Sequence, residues 1–448
     1  MAHLLRGLNQ AYRRSLRIPG GPVSRHVYPA RAPASIKSVR VIHDSSTNRA
    51  AVAAHVSASP QQESTLKTPI VEGSAIKAYS DTVNDFVGVP NIWLRDNCQC
   101  SACVHEVTKQ RLLDTFQIPR DISITSAVKD SQGVKVAWSD GHKSYYNDDF
   151  LAQAALKNNG VIRQGLEKTT LWYSSISDNP PIVQYDAAMN SNEGLKEWLS
   201  KIREYGFCYV DGTPPTPEAT EQLLERISFI RVTHYGGFYD FTSDLASKDT
   251  AYTNIALDAH TDTTYFSDPA GLQAFHLLSH TAGAGGASLL VDGFRAAADL
   301  QAQDPQAYEL LSRVNVHAHA SGNAGISIQP YRGFPVLLHD ERDGRLAQVR
   351  WNSSDRAGIE LPLEVVGSWY EAAAKWHALV SAPEYEYWCQ LTPGRVVVFD
   401  NWRVMHGRSA FTGKRRICGG YVNRDDFISK FKVLKWGQEG VLKALAVG

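Results

Sequence analysis

The chain has 448 residues, enough for two or three domains, and its 43% hydrophobic and 10% aromatic content can build a sizeable core. Basic and acidic residues balance at 46 each, so a strongly basic nucleic-acid binder is disfavoured. No run of about 18 apolar residues occurs, and no membrane-spanning helix is expected.

The balance conceals an asymmetry. Residues 1–43 contain no Asp or Glu; the first acid is Asp44, and eight Arg or Lys residues precede it. Leu4, Leu5, Leu8, Tyr12 and Leu16 interleave with Arg6, Arg13, Arg14 and Arg17, a basic amphipathic pattern typical of mitochondrial import signals. Residues 1–43 are therefore expected to be a transit peptide, and the protein to reside in the mitochondrial matrix. A disordered basic tail is the plainer alternative. Residues 44–69, polar from Ser57 to Thr68, read as a linker.

Residues 70–155 read as a small β-rich module. Val134–Trp138 and Lys143–Tyr146 are strand candidates joined by the turn Ser139-Asp140-Gly141. Cys98, Cys100 and Cys103 put three thiols within six residues, and His142 follows that turn. Three Cys and one His make a closed tetrahedral zinc site of the structural kind. His105 competes for the fourth place, and three unligated thiols are the alternative. Cys208, Cys389 and Cys418 are isolated, so no disulfide framework is expected.

Asn158–Ile182 reads as connecting chain, and a larger domain is expected over 183–440. Glu193–Tyr205 is a predicted helix with Leu195, Trp198, Leu199 and Ile202 on one face. Phe207–Val210 reads as a buried strand and Pro217–Ile230 as a second helix. Leu272–Leu278, Ser288–Val291, Pro335–Leu338 and Arg395–Phe399 are short strand candidates between Gly-, Asp- and Pro-rich turns. Helical insertions at Gly293–Val314 and Pro362–Leu379 interrupt them. The expected class is mostly β with helical insertions (α+β), an antiparallel sandwich or jelly roll.

Two strings carry the chemistry. His260-Thr261-Asp262 has two ligand types that an extended backbone would turn to the same side. His406 follows far along the chain. Two imidazoles and one carboxylate on one face of an octahedron leave three positions open, the arrangement of non-haem iron(II) oxygenases. The His-x-Asp pair alone is weak. Its weight comes from His406 and from Lys414-Arg415-Arg416 ahead of the apolar strand Ile417–Val422, because a buried guanidinium can grip a carboxylate with two hydrogen bonds. Tyr235, Tyr239, Tyr252 and Tyr421 lie near these strings. A quaternary ammonium is recognised by aromatic faces, although any one of these tyrosines could be an ordinary core residue.

From about Asn91 to Asp426 the sequence resembles the trimethyllysine and γ-butyrobetaine dioxygenases, a family of Fe(II)/2-oxoglutarate oxygenases. The resemblance is carried by WLRDNCQCSAC, RVTHYGGFYDFTSD, DTAYTNIALDAHTDTTYF, LLVDGF and FDNWRVMHGRSAFTGKRRICGGYVNRDDF. It implies a double-stranded β-helix core, iron(II), 2-oxoglutarate, O2, ascorbate and a homodimer. It implies hydroxylation of Nε-trimethyllysine at C3, the first step of carnitine biosynthesis. Hydroxylation of γ-butyrobetaine to carnitine is the nearest alternative, and a catalytically silent, zinc-stabilised binding module the remote one. By this resemblance His260, Asp262 and His406 match the iron ligands and Arg415 the arginine for 2-oxoglutarate, with Arg416 on the opposite strand face. Ser288 falls where related enzymes often carry a threonine hydroxyl for the cosubstrate; a plain strand serine is equally in keeping with its place. Tyr235, Tyr239, Tyr252 and Tyr421 match an aromatic cage, Tyr239 standing where the γ-butyrobetaine enzyme has Trp. Asp249 is expected to meet the α-ammonium of trimethyllysine and Asn352 its α-carboxylate, a turn-capping Asp249 being the alternative.

Overall fold

The computed structural model describes residues 67–80, 82–154, 164–242, 253–341 and 343–446. The proposed transit peptide, nearly all of the linker, Asp249 and Tyr252 lie outside the described residues.

The N-terminal module has two three-stranded antiparallel sheets. One holds β1 (Ile70–Glu72), β2 (Ala75–Ser80) and β3 (Asp85–Gly88); the other holds β4 (Ile124–Lys129), β5 (Gly133–Trp138) and β6 (Lys143–Asn147). In β5 the buried Val134, Val136 and Trp138 alternate with Lys135 and Ala137, the period of a half-buried strand. These side chains pack on Leu94 of α1 (Asn91–Asp96), and Tyr146 donates a 2.5 Å hydrogen bond to the Leu94 carbonyl. That contact fixes the helix leading into Cys98 against β6, whose turn with β5 carries His142.

The larger domain is built on two sheets. Six strands run in the order β7 (Ile182–Gln184), β8 (Phe207–Asp211), β16 (Arg395–Asp400), β11 (Leu272–Thr281), β18 (Lys414–Val422), β9 (Tyr239–Thr242). Four more run β10 (Leu257–His260), β17 (Val404–Arg408), β12 (Ser288–Asp292), β15 (Tyr387–Cys389). All pairings within these two sheets are antiparallel except that of β7 with β8. Phe207, Tyr209, Leu277, Val397, Phe399 and Ile417 of the larger sheet meet Leu290, Tyr387 and Val404 of the smaller in one buried cluster. This is the jelly-roll architecture expected from the short strands.

Strand alternation assigns every second side chain to the other face. Val396, Val398, Cys208 and Val210 pack outward on Leu195, Trp198, Leu199 and Ile202 of the helix Asn192–Tyr205. Ser191 caps that helix through Gly194 N–H, and Thr216 caps Pro217–Ile227 with proline in its first turn. The smaller sheet is backed by Gly293–Gln303, Pro305–Arg313 and Leu363–Val380, which bury Leu300, Leu311, Trp369 and Trp376 with Leu289, Val291 and Met405.

The expected strands at Leu272 and Ile417 are longer, β11 running on to Thr281 and β18 beginning at Lys414, and three further elements differ. The helix from Pro217 stops at Ile227 because the chain turns extended and Ile230 bridges Val422. Gly293–Val314 is two helices, broken at Asp304, whose carboxylate caps the second helix ahead of Pro305. The strand expected from Pro335 begins at Leu337, since proline has no N–H to pair.

Candidate active site

The register of β10 against β17 sets His260 directly opposite His406, with ring centroids 4.3 Å apart. His406 lies mid-strand. Asp262 Oδ1 is 3.2 Å from His260 Nε2 and 3.7 Å from His406 Nε2. Neighbouring ligand atoms on an octahedral ion with bonds of about 2.1 Å lie roughly 3 Å apart, so this donor set fits a metal. These three residues form one of two clusters among the described residues that could hold a metal ion.

Strand alternation is not what aims Asp262. β10 ends at His260, and Asp262 sits in a turn whose next residue, Thr263, has φ +60°. A β-branched residue in the left-handed region is strained, so the surroundings must hold it. Asn401, between β16 and β17, does so. Its Oδ1 accepts from Asp262 N–H at 2.8 Å, and its Nδ2 donates to the carbonyls of Asp262 and Ala270 at 3.0 Å. The outer carboxylate oxygen, Oδ2, accepts from Gln273 Nε2 and from Tyr421 Oη, each at 2.7 Å. His260 Nδ1 faces the Asp258 carbonyl at 2.7 Å, which fixes the tautomer and turns Nε2 towards Asp262.

Burial disfavours the Asp262 carboxylate, but the two imidazoles and Tyr421 outweigh it and hold its pKa well below the usual carboxylate range. Burial and the neighbouring His260 push His406 down to about 3, leaving a neutral imidazole with a lone pair for a metal.

These groups line a cavity of about 670 Å³ that also takes in Tyr235, Tyr239, Ser288, Asn352, Arg415 and Tyr421. Every expected site residue of the larger domain that falls within the described chain is thus gathered around one space. Alternation along β18 turns Arg415, Ile417 and Tyr421 inward. Arg416 points outward, exposed and paired with Asp240. Arg415 is only 3% exposed, its Nε has no hydrogen-bond partner, and among the described residues no carboxylate pairs with it. Burial, helped by the charge of Arg408, lowers its pKa to about 10. Gly286, at φ +69°, makes room for it: a Cβ there would lie 3.1 Å from Arg415 Nε. A buried cation without a partner is costly, and an anionic ligand entering the cavity would relieve it.

Further along β18 the Tyr421 ring meets that of Tyr239 edge to face at 6.0 Å, and Tyr239 Oη donates to the Ala274 carbonyl. Gly419 permits this packing, since a Cβ would fall 1.9 Å from Ala274 O and 2.9 Å from the Tyr239 ring. Tyr265 Oη reaches Tyr235 Oη at 3.5 Å. Asn352 is held by its own bonds, Nδ2 to Asp355 and Oδ1 from Ser354 N–H. Its neighbour Trp351 exchanges hydrogen bonds with Thr261, the residue between the two ligands of the His-x-Asp string.

Sequence reasoning missed Gln273, Asn401 and Tyr265. Gln273 left a trace: the stretch Leu272–Leu278 has two polar side chains, Gln273 and His276, and Gln273 is the one at an inward position.

The second cluster is Cys98, Cys100, Cys103 and His142. The three Sγ atoms lie 3.3, 3.5 and 3.6 Å from His142 Nε2. A tetrahedral ion with bonds of about 2.3 Å to sulfur and 2.0 Å to nitrogen would separate S and N by roughly 3.5 Å. His105 is not the fourth member; its Nδ1 accepts from Val107 and Thr108 N–H in its own turn. Burial and the adjacent Cys98 push the Cys103 thiol up to about 12, a charge conflict that a bound dication resolves. Arg95, unforeseen from sequence, donates to Cys103 Sγ and to Asp140, and Asp140 accepts from His142 N–H.

Comparison with known proteins gives two family matches. Residues 172–421 match the taurine catabolism dioxygenase TauD, TfdA family, and residues 79–152 match the gamma-butyrobetaine hydroxylase-like N-terminal family. The chain is 48% identical over 390 residues to the trimethyllysine dioxygenase of Neurospora crassa, covering 79% of this chain and 82% of that protein. It is 40% identical over 360 residues to the mitochondrial trimethyllysine dioxygenase of Mus musculus, covering 80% and 84%. The gamma-butyrobetaine dioxygenase of Pseudomonas sp. (strain AK-1) is more distant, 31% identical over 351 residues, covering 77% and 90%.

Proposed function

The chain belongs to the TauD, TfdA family and within it to the trimethyllysine dioxygenases, and we propose that it hydroxylates Nε-trimethyllysine at C3 using iron(II), 2-oxoglutarate and O2. The observation that carries this reading is a single cavity joining a His-Asp-His donor set, a buried unpaired guanidinium and a wall of tyrosine rings. Each part answers one reactant: the metal, the distal carboxylate of the keto acid, and the trimethylammonium group.

His260, Asp262 and His406 would hold the iron. With 2-oxoglutarate it supplies O2-dependent oxidative decarboxylation to succinate and carbon dioxide, coupled to hydroxylation of an unactivated C–H bond. The protein's part is placement. Arg415 pairs with the far carboxylate of the cosubstrate, and Ser288, on the same inner wall, offers it a hydroxyl. Tyr235, Tyr239 and Tyr421 offer the quaternary ammonium aromatic surface that attracts it without requiring a donor, and Tyr252 is assigned to the same cage by family resemblance. Asn352, with Asp249, takes the amino-acid end. The bound cation and the apolar walls exclude water from the reacting centre.

The substrate is tested by measuring succinate release with trimethyllysine and γ-butyrobetaine side by side. Trimethyllysine is expected to turn over faster; the reverse preference would select γ-butyrobetaine hydroxylation. Because only trimethyllysine carries an α-ammonium, Asp249→Asn should lower its turnover by about tenfold or more and narrow that preference, the scale set by loss of one partner of a closed charge pair. An unchanged ratio removes Asp249 from the site.

The Cys98, Cys100, Cys103 and His142 cluster supports a structural zinc, with Arg95 steadying the Cys103 thiolate. Elemental analysis should find one zinc per chain, and Cys100→Ser should lose it and melt lower while the iron site keeps its ligands. Wild-type protein free of zinc would end this reading.

The acid-free start and the mitochondrial relatives support residence in the mitochondrial matrix. Residues 1–43 fused to a fluorescent protein should carry it into the matrix; a cytosolic signal would refute the targeting role. Ascorbate, which keeps iron ferrous, and a homodimer complete the proposal. Omission of ascorbate should shorten the duration of turnover, and sedimentation should give twice the chain mass.

A further inference from the structure

Asp262 has two carboxylate oxygens and only one faces the imidazoles. Oδ1 lies 3.2 Å and 3.7 Å from the two Nε2 atoms, while Oδ2 takes both Gln273 Nε2 and Tyr421 Oη at 2.7 Å. Gln273 and Tyr421 are cross-strand partners on β11 and β18, so the two donors stand side by side on a rigid sheet. Gln273 is 2% exposed, and its other amide atom, Oε1, has no hydrogen-bond partner. An unpaired buried carbonyl costs stability, and leucine or methionine would fill the same volume without it. A glutamine at this point is therefore poor as core and useful only through its donor. Reversing the amide would set Oε1 against a carboxylate oxygen, so the Nε2 contact is the one the charges select.

We propose that Gln273, together with Tyr421, is a positioning residue that occupies Asp262 Oδ2 and so limits the carboxylate to one-oxygen coordination of the iron. A carboxylate bound through both oxygens would take a fourth coordination position, leaving two where a chelating keto acid and O2 need three. The inference rests on the assignment of His260, Asp262 and His406 as iron ligands. Tyr421 then has two roles, its hydroxyl fixed on Asp262 and its ring face turned to the cavity. The hydroxyl bond sets the ring's orientation, so ligand geometry and the aromatic wall share one anchor.

The test is an anaerobic titration of the full chain with iron(II) in the presence of 2-oxoglutarate, reading the visible charge-transfer band of the iron-bound keto acid. The cysteine cluster does not produce that band. Gln273→Met removes the donor at nearly constant volume, and Gln273→Leu is a second apolar replacement should the first fold poorly. Both are expected to keep or raise the melting temperature while weakening apparent iron affinity by about tenfold or more and altering the band. Tyr421→Phe should weaken iron binding similarly. The double variant should lose more of the band than either single one, as Oδ2 becomes free to take a position that the chelating keto acid needs. The KM for trimethyllysine should stay within about twofold in the Gln273 variants while kcat falls. Wild-type affinity and band shape in both Gln273 variants would overturn the proposal and leave Gln273 a packing residue. If wild-type protein itself produces no band, the iron-ligand assignment falls and this inference with it.

Discussion

Asp262→Ala is expected to abolish hydroxylation, lowering kcat at least about a thousandfold, or roughly 4 kcal/mol of barrier, while the protein stays folded. The carboxylate is the only anionic group in the donor set and the one both imidazoles face, at 3.2 and 3.7 Å. Without it the metal loses a ligand and the negative charge that offsets its own. The fold should survive because Asp262 lines the cavity and lies outside the hydrophobic clusters. Tyr421 Oη and Gln273 Nε2 lose an acceptor, at a cost of about 1–3 kcal/mol if they remain buried and unpaired, but the opened space borders the cavity. A fall of only a few degrees in melting temperature should accompany the loss of turnover, read by circular dichroism beside succinate release. Near-normal hydroxylation in this variant would remove Asp262 from the metal site.

Arg415→Met has the second largest expected effect, and its two readouts move in opposite directions. The guanidinium is buried and lacks a carboxylate partner in the described chain, and burial already lowers its pKa to about 10. Replacing an unpaired buried charge by an apolar side chain of similar length should stabilise the ligand-free protein. The same change strands the distal carboxylate of 2-oxoglutarate. Loss of one partner of a buried charge pair costs on the order of 2–5 kcal/mol, so the KM for 2-oxoglutarate should rise about 30-fold or more. Thermal shift separates the contributions. Wild-type protein should melt higher as 2-oxoglutarate is added, in proportion to the logarithm of its concentration over Kd. The variant should begin higher and respond little. A variant with wild-type KM for 2-oxoglutarate would place the carboxylate elsewhere, Arg408 being the nearest other buried cation on the cavity wall.

The two effects share one structural cause. β10, β17 and β18 bring ligands and counter-charge to the inner faces of two sheets whose outer faces are filled by helices. The site therefore sits on strands with little freedom to drift, while the segment carrying Asn352 is tied to it through the Trp351–Thr261 hydrogen bonds.

Local sequence determined what depends on local backbone geometry. His260 and Asp262 are two residues apart, and Cys98, Cys100 and Cys103 fall within six, so the chain itself keeps each set close before its side chains are aimed. The period of two at the start of β18, where exposed and buried residues alternate, separated Arg415 inside from Arg416 outside. Helix faces such as Leu195, Trp198, Leu199 and Ile202 were legible for the same reason, whereas helix ends were not: Ile227 and Asp304 mark stops set by what the next residues pair with or cap. Tertiary structure alone decided the rest. His406 meets His260 because β17 pairs with β10 in one register, and that register is fixed by core residues contributed from the whole domain. Asp262 is aimed by Asn401, Gln273 and Tyr421, which lie 139, 11 and 159 residues away along the chain and converge only when the sheets close. Hydrogen-bond geometry of that kind depends on separations of a few tenths of an ångström, which residue type and spacing do not encode until the strands are packed.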